Sequence, residues 1–279
     1  MMYLEKFVLP SRDQEFGFFN QLKRQCYTNF YPFQTLNNFS GIELDFEPIT
    51  ILYGGNGSGK TTILNVIAEK LQLKRDAVFN QSSFLGDFLA LCHFRLENPL
   101  PVMSRIITSD DVFDYALNVR NLNRGIDLKR EEIFEEYLDV KYAQFQMKSL
   151  EDYDRLKQMN DARRKTQSRY ARESLMKNVR THSNGENAFR YFTEKITEHA
   201  LFLLDEPENS LSPQRQLDLK DFIEKSMRYF GCQFVLATHS PFLLSLPGAK
   251  IYDLDQDPVV LRHWTELEHV KVYADFFKL

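Results

Sequence analysis

Several features are scarce in this sequence, and each shortage removes a class of protein. Cysteine is rare: Cys26, Cys92 and Cys232 are the only three in 279 residues. None stands at C-x-x-C spacing or in a cluster of metal-ligating residues. Neither a disulfide framework nor a zinc site is therefore indicated, and buried thiols in a reducing compartment are the expectation. No run of about eighteen apolar residues occurs, so there is no candidate membrane-spanning helix and no membrane partner is expected. Met1 to Pro10 carries Glu5 and Lys6 inside its only apolar stretch, which is not the pattern of a secretory signal. The expected setting is the cytoplasm. Net charge is only −4, which gives no global sign of a nucleic-acid binder and leaves local patches open. Sustained apolar heptads are missing, which argues against a long coiled coil. Internal repeats and low-complexity tracts are absent too.

What is present is ample apolar material. A hydrophobic content of 43% supports one large α/β domain, or such a core with one sizeable insertion. The most informative stretch is Gly54-Gly55-Asn56-Gly57-Ser58-Gly59-Lys60-Thr61-Thr62, which matches the phosphate-loop pattern G-x-x-x-x-G-K-[ST] at every fixed position. Ile49, Ile51, Leu52 and Tyr53 before it read as a buried strand. Ile63, Leu64, Ile67, Ala68 and Leu71 after it recur at helical spacing. The loop thus joins a strand to a helix N-terminus, where backbone N–H groups and the helix dipole favour an anion. The glycines let the backbone curl without a Cβ clash. Lys60 is placed for the β- and γ-phosphates and the Thr61 hydroxyl for Mg²⁺. The chain is expected to bind a nucleoside triphosphate.

Residues 1–40 are rich in aromatics. Tyr3, Phe7 and Leu9 fit an edge strand. Tyr31 and Phe33 are candidates for stacking on adenine, although core packing is the commoner role for any one aromatic. Gly41 to Phe46 alternates like a strand, Val102 to Ile107 reads as another, and Thr108 to Asp111 resembles a helix cap. Residues 111–182 change character: they are charged, almost free of glycine and helical in pattern. Across residues 155–180 the balance turns basic, with Arg163, Arg164, Lys165, Arg169, Arg172, Lys177 and Arg180. This face could meet nucleic acid or could simply be a solvated helix surface.

Ala200 to Glu208 is an apolar run ending in acids, as in a buried parallel strand with functional residues at its carboxyl end. Asp205 there suits a contact to Mg²⁺ opposite Thr61. Glu206 is placed to polarise a water. Gln233 to Ala237 is another short strand, and His239 follows it in position to touch a γ-phosphate. Ser183 and Gly185 at a helix start form a candidate anion nest, although SNGE alone is a weak signal that a serine N-cap would also explain.

Taken in order, LNNFSGIELDFEPITILYGGNGSGKTTIL, SNGE, LFLLDEPENSLSP and THSPFLL resemble the ABC-type ATPase superfamily. The resemblance is closest to its stand-alone soluble branch of SMC and recombination-repair ATPases, and the C-terminal stretch resembles small bacterial AAA-family, ABC-like ATPases. It covers roughly residues 36–72 and 181–279. It implies an α/β, P-loop NTPase core of ABC-ATPase type and says little about the insertion, which is read from the charged helical pattern of residues 111–182. Together they give a core with an N-terminal β-rich region and an inserted helical lobe, divided as residues 1–110, 111–182 and 183–279. By the resemblance Gly54 to Thr62 is Walker A, Asp205 is Walker B and Glu206 is the catalytic glutamate. Ser183 to Glu186 is the signature, Ser210 to Pro213 the D-loop and His239 the switch histidine, with Lys60 and His239 acting beside Glu206 in catalysis. The implied cofactors are ATP and Mg²⁺. The implied assembly is a head-to-tail homodimer in which two ATPs lie between Walker A of one copy and Ser183 and Gly185 of the other.

Two departures stand out. SNGE replaces the transporter-type LSGGQ, which argues against a transporter subunit. No clear Q-loop glutamine exists: Gln81 comes early, while Ser109-Asp110 has the right context and supplies no glutamine. The expected activity is Mg²⁺-dependent ATP hydrolysis driving a conformational switch, in a nucleic-acid-related or phage-defence complex. The alternative is a nucleotide-switched regulatory subunit controlling a nuclease or toxin partner with little turnover. The sequence carries no nuclease-like metal cluster of its own.

Overall fold

The computed structural model describes residues 1–22, 27, 29–36, 39–143, 153–175, 177–178 and 184–278. In chain order its elements begin with β1 (Leu4–Val8), α1 (Arg12–Gln21), β2 (Glu43–Asp45), β3 (Ile49–Tyr53), α2 (Lys60–Lys70), α3 (Leu85–Leu91), β4 (His93–Leu96) and β5 (Arg105–Thr108). They continue with α4 (Ser109–Tyr142), α5 (Tyr153–Arg164), α6 (Gln167–Ser174), α7 (Asn184–Lys195) and β6 (Leu201–Asp205). The last are α8 (Pro213–Tyr229), β7 (Gln233–Ala237), α9 (Pro241–Leu244), β8 (Lys250–Asp253), β9 (Val260–Leu261) and α10 (Glu268–Phe277). The chain forms two compact units, Met1–Asp114 with Ser183–Leu279, and Tyr115–His182.

The first unit is built on a six-stranded sheet of order β5-β6-β7-β3-β8-β9. All its pairs are parallel except β8 with β9. β3, β6 and β7 are buried at every position, which explains why their sequences are continuous apolar runs rather than alternating ones. Register sets the level of the site. Leu52 and Asp205 both pair with Ala237, so the residues that follow all three strands emerge at the same carboxyl end of the sheet, where α/β folds bind ligands.

A three-stranded antiparallel sheet, β2-β1-β4, forms the rest of the β-structure among the described residues. It corrects the edge-strand expectation for Tyr3, Phe7 and Leu9: β1 is the central strand, with Leu4 and Phe7 fully buried. The missing neighbour was β4, whose side chains are mostly exposed and so carry no apolar alternation. β5 likewise starts three residues later than Val102, because Val102 and Met103 are exposed.

Gln233 ties the two sheets together. Its fully buried amide accepts hydrogen bonds from the Tyr3 and Leu4 N–H groups at 2.8 and 2.9 Å. It also donates to the carbonyls of Leu4 and Glu47 at 2.8 and 3.3 Å. A buried amide is tolerated when its polar atoms are satisfied in this way.

The second unit contains α5, α6 and the part of α4 beyond Asp114. Its interior is small, with Tyr137, Met159, Ala162 and Ala171 buried. The Tyr137 hydroxyl donates to the Lys165 carbonyl at 2.8 Å, and the Gln167 amide donates to the Phe134 carbonyl at 2.9 Å.

Candidate nucleotide-binding site

The loop after β3 has the shape that its glycines predict. Gly57 and Gly59 hold φ of 81° and 90°, a region costly for residues with a Cβ. Gly59 is also sterically confined, since a Cβ there would lie 3.0 Å from Leu36 and Phe39 side chains. Lys60 opens α2 and folds back over the loop: its ammonium donates to the carbonyls of Gly54 and Gly55 at 2.8 and 2.9 Å. Burial pulls its pKa below the ordinary lysine value, opposed by Glu206, Asp205, Asp255 and Glu208. One buried polar atom in the loop, Ser58 Oγ, has no hydrogen-bond partner.

Thr61 reaches across to β6, where its hydroxyl donates to Asp205 Oδ1 at 3.0 Å. The Asp205 carboxyl is pushed up to about 7, chiefly by burial, with the Thr61 bond acting in the opposite direction. A hydroxyl and a buried carboxylate facing each other, with a lysine alongside, make an oxygen-rich pair suited to Mg²⁺. The donor set and the unpartnered Ser58 hydroxyl fit a triphosphate with its metal.

Glu206 has left-handed backbone at φ 46°, an uncommon and strained state for a glutamate. It is held there by its N–H on the Ala237 carbonyl at 2.9 Å and by Asn209, which donates to its Oε2 at 2.9 Å. His239 lies beside it, with Nε2 3.7 Å from Glu206 Oε1, too long for a hydrogen bond. Both His239 ring nitrogens are buried and unpartnered. Burial first, then Lys60, lowers the His239 pKa.

The structure thus joins Lys60, Thr61, Asp205, Glu206 and His239 in one cluster. Gly185, in the first turn of α7, packs instead against Ser210 and Ser212 of the same chain, where a Cβ would sit 3.4 Å from the Ser210 carbonyl. Ser183 lies outside the described residues. Phe33 is buried and stacked on Phe18 with centroids 4.6 Å apart, so the core takes it and no face is left for adenine. Tyr31 lines a cavity of about 380 Å³ together with Thr61, Asn65, Ser109, Asp110 and Asp205. Gln81 does not line it.

Three further residues belong to the site that sequence reasoning did not single out. Asp255, just beyond β8, accepts from the Gly55 N–H with both carboxylate oxygens at 2.8 Å. Glu208 accepts from the backbone N–H groups of His239 and Ser240 at 2.6 and 3.2 Å, which fixes the turn that carries the histidine. Burial raises the Glu208 pKa. The His269 ring lies 5.4 Å from that of His239, and the His269 backbone N–H donates to the Tyr53 hydroxyl at 3.3 Å. Only the second acid of Glu206-Pro207-Glu208 had a signal in the sequence, its place at the end of the β6 run. Asp255 and His269 reach the site through folding alone.

A parallel sheet with a glycine loop feeding a helix, and acids at the register-matched end of the neighbouring strand, defines a P-loop NTPase fold. A family model described as "ABC transporter" matches residues 39–209, more than half of the chain, and the chain belongs to that family of ATP-binding cassette proteins. A second model, described as "AAA domain, putative AbiEii toxin, Type IV TA system", matches residues 194–245. No curated protein matches. Among solved structures, the Smc head domain of Pyrococcus furiosus, bound to the C-terminal domain of ScpA, is 14% identical over 100% of both chains with a TM-score of 0.45. The SMC head domain from Thermotoga maritima is 14% identical over 94% of this chain and 99% of its own, with a TM-score of 0.41. The ATP-binding cassette MJ0796, in a dimeric post-hydrolysis state bound to ADP and Pi, is 17% identical over 79% and 87%, with a TM-score of 0.38. Among the described residues, no helix is long and apolar enough to cross a membrane.

Proposed function

We propose that the chain is a Mg²⁺-dependent ATP hydrolase whose dimerisation is gated by nucleotide. The observation that carries this reading is the bond between the Thr61 hydroxyl and Asp205, with Lys60, Glu206 and His239 gathered around it. The loop N–H groups, the Ser58 hydroxyl and Lys60 would hold phosphate oxygens, and Lys60 would leave the Gly54 and Gly55 carbonyls to do so. Thr61 and Asp205 would hold Mg²⁺, which when bound neutralises charge on the phosphates. Glu206, kept in its strained backbone by Asn209, takes the proton of an attacking water. His239, held near neutral by burial, presents an uncharged imidazole that donates from one nitrogen. Ser183 and Gly185 of a second copy would complete each pocket.

The decisive experiment is Glu206→Gln. Hydrolysis should fall by about 100-fold or more, in the range expected for loss of a general base, while ATP drives the variant into a stable dimer visible by light scattering. Turnover at the parent rate would sink the assignment of the base.

The SNGE stretch and the basic helical unit support a soluble, cytoplasmic machine acting on nucleic acid or in phage defence, rather than a transporter subunit. The second family match favours a different use of the same switch, because its description joins an AAA domain to a toxin–antitoxin system. There the chain would regulate a nuclease or toxin partner with little turnover. Native pull-down separates the two: a stoichiometric effector protein supports regulation, and nucleic acid without one supports the first use.

A further inference from the structure

The cations that form one basic stretch in the sequence meet different fates in the folded second unit. Arg163 spends its guanidinium on the backbone, donating to the carbonyls of Lys141 and Ala143 at 3.2 Å each. Lys165 is shared between Glu173 at 2.8 Å and Asp161 at 3.4 Å. Arg169 is bonded to Glu173 at 2.9 Å. These charges are already answered by the chain's own acceptors.

A different set, partly from another helix, lines a cavity of about 460 Å³: Arg130, Phe134, Ala171, Arg172, Lys177 and Asn178 among others. Its size is within the usual range of ligand pockets. Arg130 is braced, donating to Asp127 at 2.6 Å and to the side-chain Oδ1 of Asn178 at 2.5 Å, while the Asn178 side-chain Nδ2 also donates to Asp127 at 2.9 Å. That triangle fixes one wall and uses the one carboxylate bonded to it. Arg172 and Lys177 are exposed and make no ion pair among the described residues. The cavity therefore offers two uncommitted cations, a third that is rigidly held, and an aromatic ring.

We propose that this cavity binds a nucleoside phosphate, with Arg172 and Lys177 on the phosphate and the Phe134 ring against the base. An arginine fork and an ammonium are matched to phosphate oxygens, and an aromatic face stacks on any base without regard to sequence. The ligand is one unit of a single strand or a free mononucleotide. The polymer form rests on the nucleic-acid reading above; the site itself does not depend on ATP turnover.

The test uses the full chain and fluorescence anisotropy with a labelled oligothymidylate of about twelve nucleotides, near the span of small single-strand sites. Calorimetry with uridine monophosphate, in a Lys60→Ala background that disables the phosphate loop, gives the free-nucleotide arm. Arg172→Ala with Lys177→Ala should weaken oligonucleotide binding about tenfold or more and reduce the slope against log salt by about 1.4, for two phosphate contacts on a single strand. Arg163→Ala with Arg169→Ala should leave both unchanged. Loss confined to uridine monophosphate would identify the free nucleotide as the ligand and still support the site. Lys177→Arg should retain binding, which separates a charge effect from misfolding. The proposal is overturned if neither ligand binds, if both pairs of substitutions act equally, or if Arg172 and Lys177 change nothing. None of these outcomes touches the Glu206→Gln result, which reads the other site.

Discussion

Gln233 in the first unit and Glu173 in the second each gather several hydrogen bonds, but under opposite conditions. Gln233 is fully buried and bonds backbone groups between 186 and 230 residues away. Glu173 is exposed and bonds Arg169 and Lys165, both within eight residues of it. The glutamine has no water to fall back on, so each of its bonds is needed. The glutamate is solvated with or without its partners, so its ion pairs decide little. The core is thus tied by long-range satisfaction of buried groups, whereas the exposed ion pairs of Glu173 are local and leave the helical unit to bonds between helices such as Tyr137 to Lys165 and Gln167 to Phe134.

The sharpest way to break this comparison is Gln233→Leu. The leucine is about the right size but strands the Tyr3 and Leu4 N–H groups and two carbonyls. A loss of about 3 kcal/mol or more is expected, at 1–3 kcal/mol for each buried group left unpaired. That is a large part of the roughly 5–15 kcal/mol that holds a typical domain. The urea midpoint measures it, and a cost under about 1 kcal/mol would mean that water reaches the seam between the sheets.

Asp205 gives a pH-dependent effect in the same unit. Its folded carboxyl titrates at about 7 against an ordinary 3.8, so the folded chain holds a proton that the unfolded chain has lost. Stability therefore falls as pH rises between those values, and the loss is complete above the folded one. Asp205→Asn removes that slope. In nucleotide-free protein its melting temperature should gain on the parent from about pH 4 to about pH 8. With Mg²⁺ and ATP added the order should reverse, because the variant would lack the carboxylate proposed to hold Mg²⁺. An advantage independent of pH would show that the carboxyl is solvated.

How much of this was legible in the sequence follows the same division. β3, β6 and β7 could be read directly, because a parallel strand covered on both faces reads as a near-continuous apolar run, broken here only at Thr50, Asp205 and Gln233. The phosphate loop was legible because anion binding and positive φ jointly demand glycine. β4 was not, since an exposed strand leaves no apolar trace, and β1 was misplaced at an edge as a result. Asp255 lies on a loop and Glu208 in a single 3-10 turn, Pro207–Ser210, neither long enough to show a period; only the register of β8 and of β6 brings them to Gly55 and His239. In the helical unit the sequence showed where basic charge accumulates. It could not show that Arg163, Lys165 and Arg169 are occupied while Arg172 and Lys177 are not, because that depends on which acid each side chain meets across the fold.

The smallest expected effect comes from Glu173→Gln, and it tests the other half of the comparison. Arg169 first, then Lys165, holds the Glu173 carboxyl down at about 2. A depressed acid contributes stability above its unfolded pKa and loses it as pH falls toward the folded value, so any contribution should vanish between about pH 4 and about pH 2. The carboxylate is exposed, however, so water and salt screen both partners and long side chains must be ordered to hold them. The expected result is a melting curve indistinguishable from the parent at neutral pH and moderate salt. Equality with Gln233→Leu would show that local ion pairs hold the second unit together, and Lys165 and Arg169 would then be structural cations.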